Sequence, residues 1–212
     1  MAVVVLWSLG VGRELAHRLI GCEGLPSLGL AGDGARLINH CGFCGSTEHG
    51  RPLLTSTPGV VMPHVSISYA EDLTVVALTR SGPVGIDVER CDAASFPGFD
   101  AVAAHEQESF HDARARTITW TRKESLLKAT GQGLTVDPRR ILLTEPDQPP
   151  RLVDWTAVDP PDTSVWMQDV EITRAHVAAV TVLSEVRPEL VVRRVDLAGL
   201  VDQAGRAQSA RP

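Results

Sequence analysis

Two stretches of this sequence combine residue types suited to phosphate and metal chemistry. In Val84-Gly-Ile-Asp-Val-Glu89 the apolar Val84, Ile86 and Val88 alternate with Gly85, Asp87 and Glu89. A strand with that pattern buries its valine and isoleucine side and presents both acids on the opposite face. Neighbouring carboxylates raise each other's pKa, and a divalent cation is the usual way to keep both ionised. Oxygen ligands of this kind suit Mg2+. An ordinary half-exposed strand with solvated acids would show the same alternation.

The answering stretch is Trp120-Thr-Arg-Lys-Glu-Ser-Leu-Leu-Lys128, in which Trp120, Glu124 and Lys128 recur at helical spacing and form one stripe. Gly131 and Gly133 are expected to end this helix. A surface Glu–Lys pair four residues apart would explain the spacing equally well, at a few tenths of a kcal/mol. Composition argues for more, because the chain has 18 Arg but only two Lys, and both, Lys123 and Lys128, lie in this one helix. Lys is a compact point charge suited to a single phosphate oxygen, whereas Arg is a planar fork.

Together, in this order and at this separation, the two stretches resemble the signature motifs of the 4'-phosphopantetheinyl transferases. The likeness is to the larger, pseudo-dimeric type that activates carrier domains of polyketide and nonribosomal peptide synthases, and it runs through most of residues 13–183. It implies transfer of the 4'-phosphopantetheine arm from coenzyme A to a serine of an apo acyl or peptidyl carrier protein, dependent on Mg2+ and releasing 3',5'-ADP. Asp87, Glu89 and Glu124 would share the metal, while Lys123 and Lys128 would serve coenzyme A phosphates. The serine needs a base within hydrogen-bond reach, for which Glu124, Glu108 or a water on the metal are the options.

The resemblance implies further coenzyme A contacts. Arg13 and Arg18, on a first helix, would hold the 3'-phosphate. Arg51 and Pro52, in Gly50-Arg51-Pro52, would lie against the adenine. Ser68 ends a strand where the family carries a Ser-His pair, and this chain has Tyr69 in place of the histidine. A phenol donates one neutral hydrogen bond, about half as strong as one from a charged imidazole, so weaker coenzyme A binding is expected. That departure also raises an alternative, a degenerate relative that docks carrier proteins with little transfer.

The elements that must position these residues follow from apolar patterning and turn residues. The run over 2–9 reads as a buried strand, and 11–20 as an amphipathic helix closed by Gly21 and Gly24. The Gly-rich stretch 25–49 reads as loop with at most one short strand. A hairpin is expected from 64–68 and 73–78 around Glu71 and Asp72. After a connector at 92–98, a helix is expected over 105–116 with Glu106 and Glu108 near its start, where acids suit the helix dipole. Strands should follow over 140–144, 151–155, 165–172, 176–183 and 190–196, punctuated by prolines. Helix first and strands after, in each half, gives an α+β fold. The resemblance makes it two similar α/β halves in a pseudo-dimeric arrangement, 1–92 and 93–197, with a frayed tail over 198–212.

Composition sets the outer bounds. A net charge of −6 argues against nucleic acid or an anionic membrane as partner, so anion recognition must be local. The 2–9 run lacks a basic leader and is too short to span a bilayer, and a cytoplasmic, monomeric protein is expected. Cys22, Cys41, Cys44 and Cys91 are too few and irregular for a disulfide scaffold. Cys41-Gly-Phe-Cys44, flanked by His40 and His49, has a metal-like spacing, but no second pair follows it. A structural or incidental part is expected for these two cysteines.

Overall fold

The computed structural model describes residues 1–196 except Asp33, Phe43 and Thr57. The tail over 198–212 lies outside the described residues. Strand β1 (Ala2–Leu9) is apolar along nearly its whole length because both its edges and both its faces are covered. It pairs in parallel with β11 (Glu189–Arg194) and antiparallel with β5 (Leu73–Thr79). β4 (His64–Ala70) leads into β5 through the expected hairpin, whose turn residue Glu71 takes a positive φ of 49°. The resulting sheet has the order β11-β1-β5-β4.

A second sheet, β6-β10-β9, is built from β6 (Val84–Arg90), β10 (His176–Leu183) and β9 (Val165–Asp169). Its Val84, Ile86, Val88, Ala178, Val180 and Val182 pack against Val3, Val5, Val75 and Ala77 of the first sheet, forming the central core. The other face of the first sheet, with Val4, Leu6, Val76 and Leu78, is covered by α1 (Arg13–Leu19) and α2 (Leu25–Ser27). Also on that side is the hairpin of β2 (Arg36–His40) and β3 (Arg51–Thr55). A short helix, α3 (Phe99–Ala103), precedes the long helix α4 (Ala113–Thr130), which packs against β6 and β10. α4 also packs with the small hairpin of β7 (Ile141–Leu143) and β8 (Leu152–Trp155). The fold is thus α+β, with several sheets and few helices, and both sheets draw strands from either side of Asp92. No helix among the described residues is long and apolar enough to cross a membrane.

The two sheets are joined by side chains where β4 runs beside β6. The Ile86 N–H donates to Ser66 Oγ at 3.1 Å and the Val88 N–H to Ser68 Oγ at 3.3 Å. Serine hydroxyls thus satisfy backbone donors that would otherwise be buried without partners.

Helix α4 is buried on most sides, including polar side chains that are paid for by dedicated partners. Asp112 caps it by accepting the Ala115 N–H at 2.7 Å, and Gly131, at φ +77°, closes it as expected. Arg122 is fully buried and bonds Asp169 and the carbonyls of Thr144, Glu145, Pro146 and Gln148. Lys123 is equally buried and donates to Glu108 Oε2 at 2.6 Å and to the carbonyls of Ala103 and Pro138.

The structure corrects several expected elements. Residues 105–112 are not helical, because Glu108 turns inward to Lys123 and accepts the His105 N–H at 2.8 Å, so the helix starts only after Asp112. Gly21 and Gly24 do not end the first helix, which continues through a wider turn over Ile20–Gly24 into α2. Gly133 belongs to a short turn of 3-10 helix beyond α4, whereas the strand expected over 2–9 is present as β1.

Gly85 is the point of closest approach between β6 and α4. A Cβ there would overlap the Ser125 carbonyl oxygen and stand 2.6 Å from the Ala129 nitrogen and 2.9 Å from Lys128 Cβ. Gly85→Ala is therefore expected to cost about 3 kcal/mol, the upper end of ordinary overpacking. That is a loss of roughly 6–12 °C in Tm for a chain of this size, readable by differential scanning calorimetry. An unchanged Tm would show that the helix can move off the strand freely.

Candidate functional site

The face of β6 that carries Gly85, Asp87 and Glu89 looks onto α4, and this brings Glu124 and Lys128 over the strand acids. Asp87 is buried, at 4% exposure, rather than solvated. Lys128 Nζ donates to Asp87 Oδ1 at 2.6 Å, to the Ile86 carbonyl at 3.1 Å and to Ser68 Oγ at 3.2 Å. Ser68 in turn donates to Asp87 Oδ1 at 2.9 Å. A single carboxylate oxygen thus ties α4, β6 and β4 together.

The remaining carboxylate oxygens are less well served. Asp87 Oδ2 and Glu124 Oε1 are buried without a hydrogen-bond partner, an expensive arrangement for acids. Burial raises the Asp87 pKa despite the opposing pull of Lys128, Ser68 and the Val88 N–H. Burial, then Asp87, raises that of Glu124. Burial first, and then the charges of Asp87 and Glu124, push Glu89 up to about 7, against the pull of Lys128. Orphaned carboxylate oxygens in a mutually repelling set are what a hard divalent cation relieves, so the residues fit Mg2+. The three acids do not already converge as a finished cage: the sets whose ligand atoms lie within 4.8 Å of one another are Cys41, Cys44 and His49, and Glu71, Asp72 and His176, among the described residues.

Beside this cluster a cleft of about 400 Å³ runs between Gly50 with the start of β3, β4 and the end of α4. Arg51, Pro52, Ser66, Lys128, Gly131 and Gln132 line it. Arg51 Nη2 is buried with no partner, and burial lowers the guanidinium pKa. Because Gly131 has no side chain, Arg51 Nη1 can sit 3.4 Å from where a Cβ would be. His64 shares this region, its pKa lowered by burial and by the charge of Arg51. Lys128 has spent its protons on protein acceptors, so Arg51 is the cleft's uncommitted cation. A second, apolar groove, lined by Phe96, Phe99, Val102, Trp120 and Leu134, opens at Glu89. A larger cleft of about 520 Å³, lined by Arg114, Thr173 and His176 among others, contains none of Asp87, Glu89 or Glu124.

The other candidates are placed as follows. Tyr69 is exposed on β4 and feels the charge of Arg13, while burial raises its phenol pKa. Arg13 itself donates to the Leu37 carbonyl at 2.7 Å. Arg18 lines neither the cleft nor the groove. Lys123 and Glu108 are withdrawn into their own ion pair, with side chains 1% and 6% exposed, so neither reaches the acid cluster as it stands. His64, Ser66 and Gln132 join the site without having been singled out in the sequence. The alternation His64-Val-Ser-Ile-Ser68 carries the signal for Ser66, since it shares a strand face with Ser68.

The raised Glu89 pKa gives a pH signature. A carboxyl raised in the folded state contributes stability that is complete below its unfolded pKa near 4.5 and is lost as pH rises through about 7. Glu89→Gln removes that penalty. Without divalent cations the variant should match the parent near pH 4.5 and melt a few degrees higher at pH 8, the gap opening between those limits. Equal Tm values at pH 8 in EDTA would show that Glu89 is not strained by its neighbours.

Comparison with known proteins shows what part of the chain is similar to. Residues 83–181, which hold β6, α4 and most of β10, match the model of the 4'-phosphopantetheinyl transferase superfamily. Among curated proteins, the uncharacterized protein YieE of Escherichia coli K12 is 35% identical over an alignment that covers 39% of this chain and 37% of that protein. The same protein from Escherichia coli O6:H1 gives the same figures. The aligned stretch thus spans little more than a third of these relatives. The stretch similar to the 4'-phosphopantetheinyl transferase superfamily is confined to residues 83–181, a little under half of the chain.

Proposed function

We propose that this protein transfers the 4'-phosphopantetheine group from coenzyme A to a serine of an apo acyl or peptidyl carrier protein, with Mg2+, releasing 3',5'-ADP. Polyketide and nonribosomal peptide synthase carriers are the intended acceptors, and the chain acts as a cytoplasmic monomer whose two α/β halves are pseudo-dimeric. The observation that carries this reading is a cleft lined by Arg51, whose Nη2 is buried with no partner, and by Lys128, which itself bonds Asp87 in the cluster where Asp87 Oδ2 and Glu124 Oε1 are unpartnered. A diphosphate ester is a ligand that needs cations on one side and a bridging metal on the other.

In this reading Arg51 and Pro52 hold the nucleotide end of coenzyme A, with Arg13 and Tyr69 beyond them on the α1 side. Asp87, Glu89 and Glu124 hold the Mg2+, which when bound neutralises charge developing on the phosphate oxygens. Ser68 fixes Asp87 through its hydroxyl. Lys128, its protons held by Asp87, Ser68 and the Ile86 carbonyl, contributes its positive charge beside the phosphates and keeps Asp87 in place. Glu124, whose Oε1 is buried without a partner in the acid cluster, takes the serine proton. Glu108 is left out of that step because Lys123 already occupies it. The alternative, a carrier-binding relative without turnover, is not favoured, since the strand acids, Glu124 and Lys128 stand together in one site.

Intact-mass spectrometry of an apo carrier protein incubated with the protein, coenzyme A and Mg2+ should show the gain of one phosphopantetheinyl group. Asp87→Asn should slow it by at least about 100-fold, as expected when a stabilising charge is removed at a phosphoryl site. No mass gain with any of several carriers would overturn the proposal. Arg51→Met should raise KM for coenzyme A by about 10- to 100-fold, as expected for a charged hydrogen bond of about 1.5–3 kcal/mol. It should leave Tm unchanged or higher, because the cation it removes has no protein partner. An unchanged KM would remove Arg51 from the coenzyme A site.

A further inference from the structure

The loop between β2 and β3 holds a second cluster that the transfer chemistry does not use. Sγ of Cys41, Sγ of Cys44 and a ring nitrogen of His49 lie within 4.8 Å of one another, and Cys44 Sγ stands 3.4 Å from His49 Nε2. A tetrahedral zinc with one sulfur at ~2.3 Å and one nitrogen at ~2.0–2.1 Å would set those two atoms about 3.6 Å apart. Neither cysteine is in a disulfide. The sequence offers no second Cys pair, but the fold supplies His49 as a third ligand.

The backbone builds this cluster. The Gly45 N–H donates to the Cys41 carbonyl at 2.8 Å, with Gly45 at φ +72°, and the Cys41 N–H donates to the Ser46 carbonyl at 2.9 Å. These bonds fold the chain back so that Cys44 returns over Cys41. The Glu48 N–H then donates to Ser46 Oγ at 3.1 Å, and Asn39 Nδ2 to the Glu48 carbonyl at 3.3 Å, which brings His49 to the same place. At Gly50 the chain is pressed against the strand end: a Cβ there would stand 2.6 Å from Cys41 Cα. The next residue is Arg51.

We propose that Cys41, Cys44 and His49 bind one Zn2+, with water in the fourth position. Two thiolates and an imidazole select zinc over the hard cations that suit the carboxylate cluster. The metal closes the β2–β3 loop one residue short of Arg51 and so fixes the strand that carries this side chain into the cleft. The site shares no ligand with the Mg2+ site.

The test is metal content by mass spectrometry on protein purified under reducing, chelator-free conditions, together with cobalt reconstitution of the reduced apo-protein. Zinc near one per chain is expected. Co2+ should give thiolate charge-transfer bands and the strong visible absorption of a tetrahedral site. Cys44→Ser and His49→Ala should each lose most of the bound zinc and change the cobalt spectrum, whereas Asp87→Ala should keep both. Only trace zinc with no cobalt spectrum would overturn the proposal. So would full zinc content in a Cys44→Ser, His49→Ala double variant.

Discussion

Strand β6 lies so close beneath helix α4 that no side chain fits between them at Gly85, and the rest of the site depends on this contact. It sets the height at which Lys128 hangs over the strand, and at that height Nζ meets Asp87 at 2.6 Å. Ser68 then extends the bond to β4, and the seam between the two sheets is closed by Ser66 and Ser68 rather than by a continuous ladder. Position 85 therefore acts at a distance: what it excludes is bulk, and what it permits is a charge pair joining three elements.

The electrostatics of the site follow from burial without full compensation. Lys128 serves one oxygen of one acid, leaving Asp87 Oδ2 and Glu124 Oε1 orphaned and Glu89 pushed up to about 7. On the other side of Lys128, Arg51 Nη2 is buried without a hydrogen-bond partner. Both imbalances cost stability in the isolated protein. They have opposite sign and adjoin through Lys128, so a bound cation and a bound phosphate would relieve them together. By contrast, the buried charges Arg122 and Lys123 are fully partnered and serve to hold α4 in place.

Much of the site was legible because its residues obey simple periodicities. Val84, Ile86 and Val88 do bury one face of a strand while Gly85, Asp87 and Glu89 lie on the other, and the stripe of Trp120, Glu124 and Lys128 faces the strand acids. The hairpin of β4 and β5 and the strand at β10 were equally plain from apolar runs. What failed did so where side chains overrode local signals. Residues 105–112 read as a helix until Glu108 is seen to turn inward to Lys123, a pairing across 15 residues that no local pattern encodes. Lys123 looks like an exposed phosphate ligand from its type, and only packing shows it buried. The backbone turn at Gly45 that gathers Cys41, Cys44 and His49 was likewise beyond a search for paired ligands.

The most direct measurement is a crystal structure of the protein with coenzyme A and Mn2+, located by its anomalous signal. The expected result is a manganese peak among Asp87, Glu89 and Glu124, with the diphosphate beside Lys128 and the nucleotide end against Arg51 and Pro52. A manganese peak elsewhere, or coenzyme A seated in the cleft lined by Arg114, Thr173 and His176, would contradict it.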